Sequence, residues 1–383
     1  MTNSLKMDAI RKNEISLAAE NFNRSYKNLH RKNVIVGFDG FIDVIIHPVA
    51  TRTDKNHFER IETITGFSER IASAAGKSAN IEFVPLQEKI GGNGPLMAMA
   101  MYNTGCTVTN IGLMGYPDIL PVFRPMEEKC KLISIGNPGH TDAIEFHDGK
   151  LMLGKLEPLK DMCLKNLNHV FGEGNFIRLL SGAELVACTN WTMLTEMEEI
   201  LEYIIENLPA GGTVSFFFDL ADPEKRTDQD KMKLLKQLAA LNLKADCILG
   251  LNFREAEQIS ELLEIRTIPE NSPSGLQASA SVLKKKLGVY GVVIHALDCA
   301  GASVGEEETG IPGPYCAKPR LTTGGGDHFN GGFCSGLLAG LSIKDALYTA
   351  VATSGWYVRN KKSPQAEDIT GLLLNWVNGS LTD

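Results

Sequence analysis

The chain has 383 residues, with 38 Lys and Arg against 46 Asp and Glu, which gives a net charge of −8. Its 43% hydrophobic and 22% charged residues are typical of a folded domain and exclude a disordered or collagen-like chain. No apolar run reaches the roughly 18 residues of a membrane span, and residues 1–14 lack the apolar core of a signal peptide. The negative charge leaves no basic surplus for nucleic-acid phosphates. We therefore expect a cytoplasmic protein with neither a membrane nor a nucleic acid as its partner.

The eight cysteines form no C-x-x-C pair, so a metal finger or a thioredoxin-like redox motif is not expected. Without a secretion signal, free thiols in a reducing compartment are the default. No spacing of His, Cys or acidic residues predicts a structural metal site.

In chain order, apolar spacing predicts a helix over residues 8–28 and then a buried strand at Val34–Val36. Extended stretches at 41–48 and 81–90 flank a polar, helix-capable segment, residues 51–80, which we interpret as an insertion. Residues 141–155 form a predicted hairpin because Asp148-Gly149 supplies its turn. The remaining predicted strands are 107–111, 132–135, 184–188, 214–219, 247–249 and 292–295, and the helices are 95–104, 118–130, 195–207, 228–241, 252–264, 276–287, 327–340, 343–359 and 365–377.

Alternation of strands and helices predicts an α/β fold with a mostly parallel, right-handed sheet between layers of helices. No repeat or low-complexity linker divides the chain. We expect a helical extension over residues 1–33 and one large domain over 34–383. Segments 41–48, 81–90 and 141–155 would form a small accessory sheet on this domain.

The strongest chemical signal lies near the C-terminus, where residues 321–333 read LTTGGGDHFNGGF. The glycines Gly324, Gly325 and Gly326 allow backbone amides to converge on a phosphate, and the following helix adds the partial positive charge of its N-terminus. Asp327 lies at the mouth of that helix. A tight turn with Asp327 as a helix cap is the simpler alternative, but the combination with a second glycine pair favours a phosphate site.

This segment resembles the C-terminal signature of the PfkB (ribokinase-like) carbohydrate kinases. Three other segments match motifs of that family in the same order. They are the Gly-Gly pair of Gly91-Gly92-Asn93, the N-x-x-E motif of Asn252 to Glu255, and the strand-end segment of Phe218-Asp219 with Pro223 and Arg226.

The resemblance implies a ribokinase-like three-layer α/β/α sandwich with a small β lid, and it assigns Asp327 as the catalytic base. Gly324–Gly326 and Asn252 would hold phosphate groups, and Glu255 would hold Mg²⁺ through water. The cofactors would be ATP, as phosphate donor, and Mg²⁺. We also expect Asp327 to have the ordinary aspartate pKa near 3.9, so that it is ionised at neutral pH.

The resemblance also implies a small sugar or polyol as substrate. Gly91, Gly92 and Asn93 would contact it, and an aspartate after the first strand would bind its hydroxyls because a carboxylate accepts two hydrogen bonds. Asp43 fits that position better, with Asp39 as its competitor. The lid would exclude water, and lids of this family pair across a homodimer, which the apolar stretch 41–46 allows here.

Three departures from the family pattern leave the substrates open. Leu321 replaces an aspartate linked to a monovalent-cation site, Leu96 replaces a polar residue, and Asp298 replaces a glycine of the nucleotide loop that we place at 296–301. A nucleoside kinase or an ADP-dependent sugar kinase is therefore an alternative. A catalytically weak sugar- or nucleotide-binding regulator is the alternative outside the enzymes.

Overall fold

The structure is a computed structural model that describes residues 9–265 and 270–383. The strands are β1 Asn33–Gly37, β2 Phe41–Arg52, β3 Phe58–Arg60, β4 Phe83–Gly91, β5 Thr107–Leu113, β6 Lys131–Gly136, β7 Gly139–Phe146, β8 Gly149–Lys155, β9 Leu185–Cys188, β10 Ser215–Asp219, β11 Asp246–Asn252, β12 Gly291–His295, β13 Cys299–Val304 and β14 Glu307–Pro312. The helices are α1 Ala9–Ser25, α2 Ile64–Ala72, α3 Asn93–Asn103, α4 Arg124–Glu127, α5 Leu164–Phe171, α6 Asn175–Ser181, α7 Met197–Asn207, α8 Asp228–Leu241, α9 Phe253–Leu262, α10 Pro273–Leu287, α11 Gly325–Leu338, α12 Ile343–Asn360 and α13 Ala366–Val377.

A nine-stranded sheet forms the centre, in the order β14-β13-β12-β11-β10-β9-β1-β5-β6. It is parallel from β12 to β6, and β13 and β14 extend one edge as antiparallel strands. Successive side chains of a strand point to opposite faces, so Phe216 and Phe218 join one buried cluster and Phe217 the other. Helices α5–α10 cover the first face, and α1, α3 and α11–α13 cover the second. The predicted three-layer α/β/α sandwich is confirmed.

Helix α1 belongs to this core. Its buried side chains Ile15, Ala18, Ala19 and Phe22 pack with α12 and α13. The predicted helix over 8–28 is thus present from Ala9 to Ser25 and continues as a 3₁₀ turn, Tyr26–Arg31, while residue 8 lies outside the described residues. No helix in the described ranges is both long enough and apolar enough to cross a membrane.

A separate five-stranded sheet, which we call the lid, contains β2, β3, β4, β7 and β8. The predicted hairpin is confirmed, since β7 and β8 are antiparallel and Phe146 pairs with Gly149. The polar segment 51–80 supplies β3 and α2, and Phe67 of α2 packs on Ile46, Ile144 and Phe146. The segment therefore provides the lid with a small apolar core.

Two parts of the sequence prediction are wrong. The helix predicted over 118–130 shrinks to Arg124–Glu127, because Pro117 and Pro121 interrupt the pattern before it, and Pro125 lies in its first turn, where proline is tolerated. The nucleotide loop predicted at 296–301 ends at Asp298, since strand β13 begins at Cys299. Its small residues, Ala300 to Ala302, carry little strand propensity, yet they suit a strand that α10 approaches so closely that a Cβ on Gly301 would lie 2.3 Å from the amide nitrogen of Gln277.

Candidate active site

Polar side chains gather where the parallel strands of the central sheet end. Five of the seven parallel strands have one at their last residue or two residues after it: Asp39 after β1, Asn190 after β9, Asp219 in β10, Asn252 in β11 and His295 in β12. Carboxyl ends of parallel strands meet at one edge of a sheet, which is where open α/β sheets bind ligands. Helices α3, α9 and α11 begin at the same edge. The site is therefore built where strand ends face helix starts.

Asp327 and Asn93 join the two glycine-rich segments of the sequence. Asp327 lies in the first turn of α11 and is 5% exposed, and Asn93 is the first residue of α3. The Nδ2 of Asn93 donates a hydrogen bond of 2.8 Å to Oδ1 of Asp327. The other carboxylate oxygen of Asp327 is left for a further donor, such as a substrate hydroxyl.

Asp39 is fully buried and caps α3 from the end of β1. Its carboxylate accepts from the amide nitrogens of Asn93, at 2.9 Å, and Gly94, at 2.7 Å, and from Nδ2 of Asn190, at 2.7 Å. A helix N-terminus favours such a carboxylate because its first amides lack partners within the helix. These three bonds engage both oxygens of Asp39, so Asp39 fixes the start of α3 and with it the position of Asn93.

Asp43 lies on the lid, on β2, between its cross-strand partners Lys89 and Thr141. It is 6% exposed, and burial raises its pKa while the positive charges of Lys89 and Lys150 lower it. A Cβ on Gly91 would lie 2.5 Å from Oδ1 of Asp43, so a glycine is required beside this carboxylate. The pKa of Tyr357 is raised by burial and by the charges of Asp327 and Asp43, which locates Tyr357 near both.

The glycine loop, which we define as residues 322–326, leads into α11. Gly324 has φ 92° and precedes the helix, and the amide nitrogen of Gly325 donates to the carbonyl oxygen of Thr322 at 3.0 Å. A positive φ here suits glycine, and a Cβ on Gly324 would lie 2.8 Å from Oη of Tyr357. The other first-turn amides of α11 have no acceptor within the helix, so they can receive an anion, whereas the amide of Gly325 is bonded to Thr322.

The expectation of an ordinary pKa for Asp327 is wrong. Burial raises the pKa of Asp327 well above its usual value, and the negative charge of Asp219 adds to the effect. Burial and the charge of Glu255 likewise raise the pKa of Asp219 to about 8. Two carboxylates that share a dry site cannot both ionise easily, because each charge disfavours the other.

Asn252 and Glu255 form a capping box at the start of α9. Oδ1 of Asn252 accepts from the amide of Glu255, and Oε2 of Glu255 accepts from the amide of Asn252, both at 2.9 Å. Oε1 of Glu255 accepts from the amide of Asp222 at 3.0 Å. Both residues thus have a structural role that the sequence prediction did not include, and Glu255 is buried rather than solvated.

The acidic residues near α9 fit a hydrated magnesium ion. Asp219 and Glu255 offer the oxygen donors that Mg²⁺ prefers, at a place where a cation would relieve their repulsion. Within 9–265 and 270–383, no group of three or more His, Cys, Asp or Glu side chains is arranged to hold a metal directly. Mg²⁺ usually keeps several waters, so this set is consistent with an ion held through water.

A cavity of about 310 Å³ lies beside the glycine loop, between the β12–β13 turn and α12. Its lining is largely apolar and includes Phe329, Val351 and Tyr315. His295, whose ring centroid is 4.6 Å from that of Phe329, has its pKa lowered to about 4 by burial and is therefore neutral at pH 7. Asp298 accepts a 2.7 Å hydrogen bond from the amide of Gly313 through its carbonyl oxygen, which stabilises the turn. The cavity suits a flat, uncharged ring next to an anion site.

Five residues of the site were missed by sequence reasoning: Asn190, His295, Lys89, Thr141 and Tyr357. Asn190 and His295 lie at the ends of parallel strands, and a polar residue at such an end is a signal that could have found them. The others reach the site through lid pairing or through α12, and no local motif indicates either.

Solved structures share this fold over most of the chain. The ribokinase of Arabidopsis thaliana, solved with ribose and ATP, is 16% identical, with a TM-score of 0.61 over 89% of this chain and 98% of that one. The nucleoside kinase of Methanocaldococcus jannaschii is 13% identical, with a TM-score of 0.59 over 89% and 98%. These likenesses show the ribokinase-like fold.

The particular family follows from the sequence as a whole. The family model described as "Prokaryotic ketohexokinase" matches residues 9–376, so the protein is a carbohydrate kinase of the PfkB class, which phosphorylates a sugar hydroxyl. Within that class, the chain belongs to the family that this model describes. A ketohexokinase of Haloferax volcanii is 28% identical over 345 residues, which cover 88% of this chain and 89% of the relative. The match to the family model begins at α1 and reaches α13, so it includes both the N-terminal helix and the segment 51–80.

Proposed function

We propose that this kinase transfers the γ-phosphate of ATP to a hydroxymethyl group of a ketohexose. The observation that carries the proposal is the 2.8 Å hydrogen bond between Asn93 and Asp327, which brings the two glycine-rich segments together below the lid. The name of the family and of its Haloferax relative supports a ketohexose as the sugar. The ATP bound to the Arabidopsis ribokinase supports ATP as the donor.

In this proposal, Asp327 is the catalytic base. It accepts a hydrogen bond from the acceptor hydroxyl and takes its proton as the new O–P bond forms. Its raised pKa makes it a stronger base than an ordinary aspartate once it is ionised. Asn93 holds the carboxylate at a fixed angle, so the proton acceptor is already oriented when the sugar binds.

Backbone amides and the lid complete the proposed mechanism. Amides of Gly324–Gly326 stabilise charge on the transferred phosphoryl group, and Asn252 contributes by fixing the start of α9. Bound Mg²⁺, held through water near Glu255, would neutralise charge on the donor phosphates. Asp43 accepts hydrogen bonds from sugar hydroxyls, Gly91 and Gly92 leave space for the sugar, and lid closure excludes water that would compete as acceptor.

The test is a phosphorylation assay over ketohexoses, aldohexoses, ribose and nucleosides, with ATP and ADP each as donor. We expect turnover with a ketohexose and ATP. Asp327→Asn should lower kcat by roughly 10²–10⁴-fold with nucleotide affinity retained, because it removes the base and keeps the shape. Asp228→Asn, at an exposed carboxylate in α8, is the matched control.

Each other outcome favours an alternative. Full activity of Asp327→Asn would contradict the proposed mechanism. A preference for a nucleoside as acceptor would favour a nucleoside kinase, and a preference for ADP as donor would favour an ADP-dependent sugar kinase. Thermal stabilisation by a sugar without any phosphorylated product would favour a regulator that binds but does not turn over.

We further propose that a second copy of this chain packs on the lid. Edge strands β4 and β8 expose apolar side chains, with Leu86 at 51% and Met152 at 45% exposure. Exposed apolar edge strands favour pairing with another chain. Leu86→Asp should shift the mass measured by light scattering from dimer to monomer, and a wild-type monomer would contradict the proposal.

A further inference from the structure

Three consecutive glycines lie where the glycine loop enters α11: Gly324 precedes the helix, and Gly325 and Gly326 are its first two residues. Glycine adopts more backbone conformations than any other residue, so Gly324, Gly325 and Gly326 need outside restraints to present their amides in one direction. The backbone provides two restraints, the bond from the amide of Gly325 to the carbonyl of Thr322 and the bond from the amide of His328 to the carbonyl of Gly324. Two side chains provide others.

These side chains are His328 and Tyr357, which stack face to face. Their ring centroids are 3.6 Å apart and their planes differ by 14°. Oη of Tyr357 donates to the carbonyl oxygen of Thr323 at 3.1 Å, and Nδ1 of His328 contacts the carbonyl oxygen of Gly324 at 2.7 Å. One stacked pair thus holds two successive carbonyl groups of the loop.

The partners of His328 define its tautomer. A carbonyl oxygen only accepts, so Nδ1 carries the hydrogen, and Nε2 must then accept from the hydroxyl of Ser363, 2.8 Å away. Burial lowers the pKa of His328 to about 4, so the ring is neutral at pH 7. The carbonyl of Ser363 in turn accepts from Nδ2 of Asn103, at the end of α3.

The planar peptide bond converts this contact into control over an amide. In a trans peptide, the carbonyl of one residue and the amide of the next point in opposite directions. Holding the carbonyl of Thr323 therefore fixes the direction of the Gly324 amide, and holding that of Gly324 fixes the next peptide plane. We propose that His328 and Tyr357 form a clamp of two positioning residues that orients the glycine loop for the transferred phosphate. The proposal rests on the proposed role of that loop.

The experiment compares His328→Leu, which removes both ring nitrogens, with His328→Asn, whose amide restores a donor near the Nδ1 position. We expect His328→Leu to lower kcat by roughly 10–100-fold while KM for the sugar changes little, because misplacing a catalytic group by about 1 Å can cost that much. His328→Asn should recover most of the loss. Tyr357→Phe keeps the stacking and loses the hydroxyl, and its effect should be less than additive with that of His328→Leu.

Wild-type kcat in His328→Leu would overturn the proposal. Equal losses in His328→Leu and His328→Asn would also overturn it, since ring volume rather than the hydrogen bond would then matter. If His328→Leu does not fold, Ser363→Ala and Tyr357→Phe replace it, and unchanged kcat in both has the same meaning.

Wild-type protein assayed in the same series separates this proposal from the function on which it rests. If no sugar and donor give turnover, the proposed function fails and the clamp is judged by calorimetric affinity for ATP and ADP. Weaker binding by His328→Leu with recovery by His328→Asn would then support the clamp, and unchanged binding by both would overturn it.

Discussion

Asp39, Asp219 and Asp327 are three buried aspartates within one site, and they differ in the number of hydrogen bonds that stabilise their carboxylates. Asp39 accepts three hydrogen bonds, from Asn93, Gly94 and Asn190. Asp327 accepts one from the side chain of Asn93, and Asp219 accepts from the side chain of Asn330 and the backbone of Ala221. The pKa of all three is raised, chiefly by burial. Such a cluster is costly for stability, which is common where carboxylates serve chemistry rather than packing.

Asp219→Asn should move the acid limb of the kcat/KM profile to lower pH. The base Asp327 must be unprotonated to act, so activity is lost as pH falls through its raised pKa. Removing the charge of Asp219 removes one cause of that raised value, and the pKa of Asp327 should fall. A pH–rate series from pH 5 to 9 measures the shift, with roughly constant buffer ionic strength.

The matched control is Asp246→Asn, because burial also raises the pKa of Asp246 but this residue starts β11 at the opposite end of the sheet. Its profile should match the wild type. An acid limb that stays in place or moves to higher pH in Asp219→Asn would contradict the electrostatic account.

At this scale the resemblance to the PfkB family predicted Asp327, Asn93 and Asp39 as members of one site, because the motifs that carry the resemblance are visible in the local sequence. The role of Asp39 could not be predicted. Its carboxylate is occupied by Asn93, Gly94 and Asn190, which lie far from it in sequence, and only the folded chain brings these donors together.

Among the elements, the lid differs most from a simple sheet, because segment 51–80 folds over it. Helix α2 places Phe67 against Ile46, Ile144 and Phe146, and this group is separate from the two clusters of the main domain. The lid can therefore loosen by itself, since local opening depends on the local core.

Phe67→Ala should raise KM for the sugar and increase hydrolysis of the nucleotide relative to sugar phosphorylation. Removing a buried aromatic ring costs about 3–5 kcal/mol of local packing, which would open the lid more often and admit water. Initial rates with and without sugar measure both effects. Leu153→Ala, at an apolar side chain of the same lid that is 44% exposed and lies outside the Phe67 group, is the control and should change much less.

Thermal unfolding of the two variants tests whether the effect stays local. We expect the main transition of Phe67→Ala to remain near that of the wild type. Wild-type KM together with a lowered main transition would show instead that α2 supports the whole domain.

Element by element, the sequence predicted best where a pattern was complete. It found strand β10, which has three successive phenylalanines, because a run of apolar residues indicates a strand buried on both faces. It also found the hairpin at Asp148-Gly149, because these two residue types favour the turn. Strands β13 and β14 were missed, since Ala300, Gly301 and Ala302 are selected by the approach of α10 rather than by strand propensity.

For the whole molecule, the N-terminal helix α1 contributes more to the core than the sequence analysis predicted. The extension before residue 33 carries no catalytic motif, yet Phe22 is fully buried against α12 and α13. Nothing in the sequence indicates this burial, because the residues that pack on α1 lie more than three hundred positions away. One such pair is Asn21 and Asp345, whose side chains are joined by a 2.8 Å hydrogen bond.

Phe22→Ala should lower the free energy of unfolding by about 3–5 kcal/mol, with KM nearly unchanged in the folded fraction. Chemical denaturation measures the first quantity and steady-state kinetics the second. Leu17→Ala, at a side chain of the same helix that is 48% exposed, should lose far less. If the free energy of unfolding of both variants equals that of the wild type, the packing of α1 is dispensable for stability.

The protons held by the buried aspartates have a consequence for ligand binding itself. A cation or hydrogen-bond donor that enters this site favours the ionised carboxylates, so binding must release protons to the solvent. The heat of binding should then depend on the ionisation enthalpy of the buffer, and apparent affinity should rise with pH up to the raised pKa of about 8 at Asp219. Ligand binding to this kinase would thus be coupled to proton release, with an incoming cation or hydrogen-bond donor replacing protons on the buried aspartates.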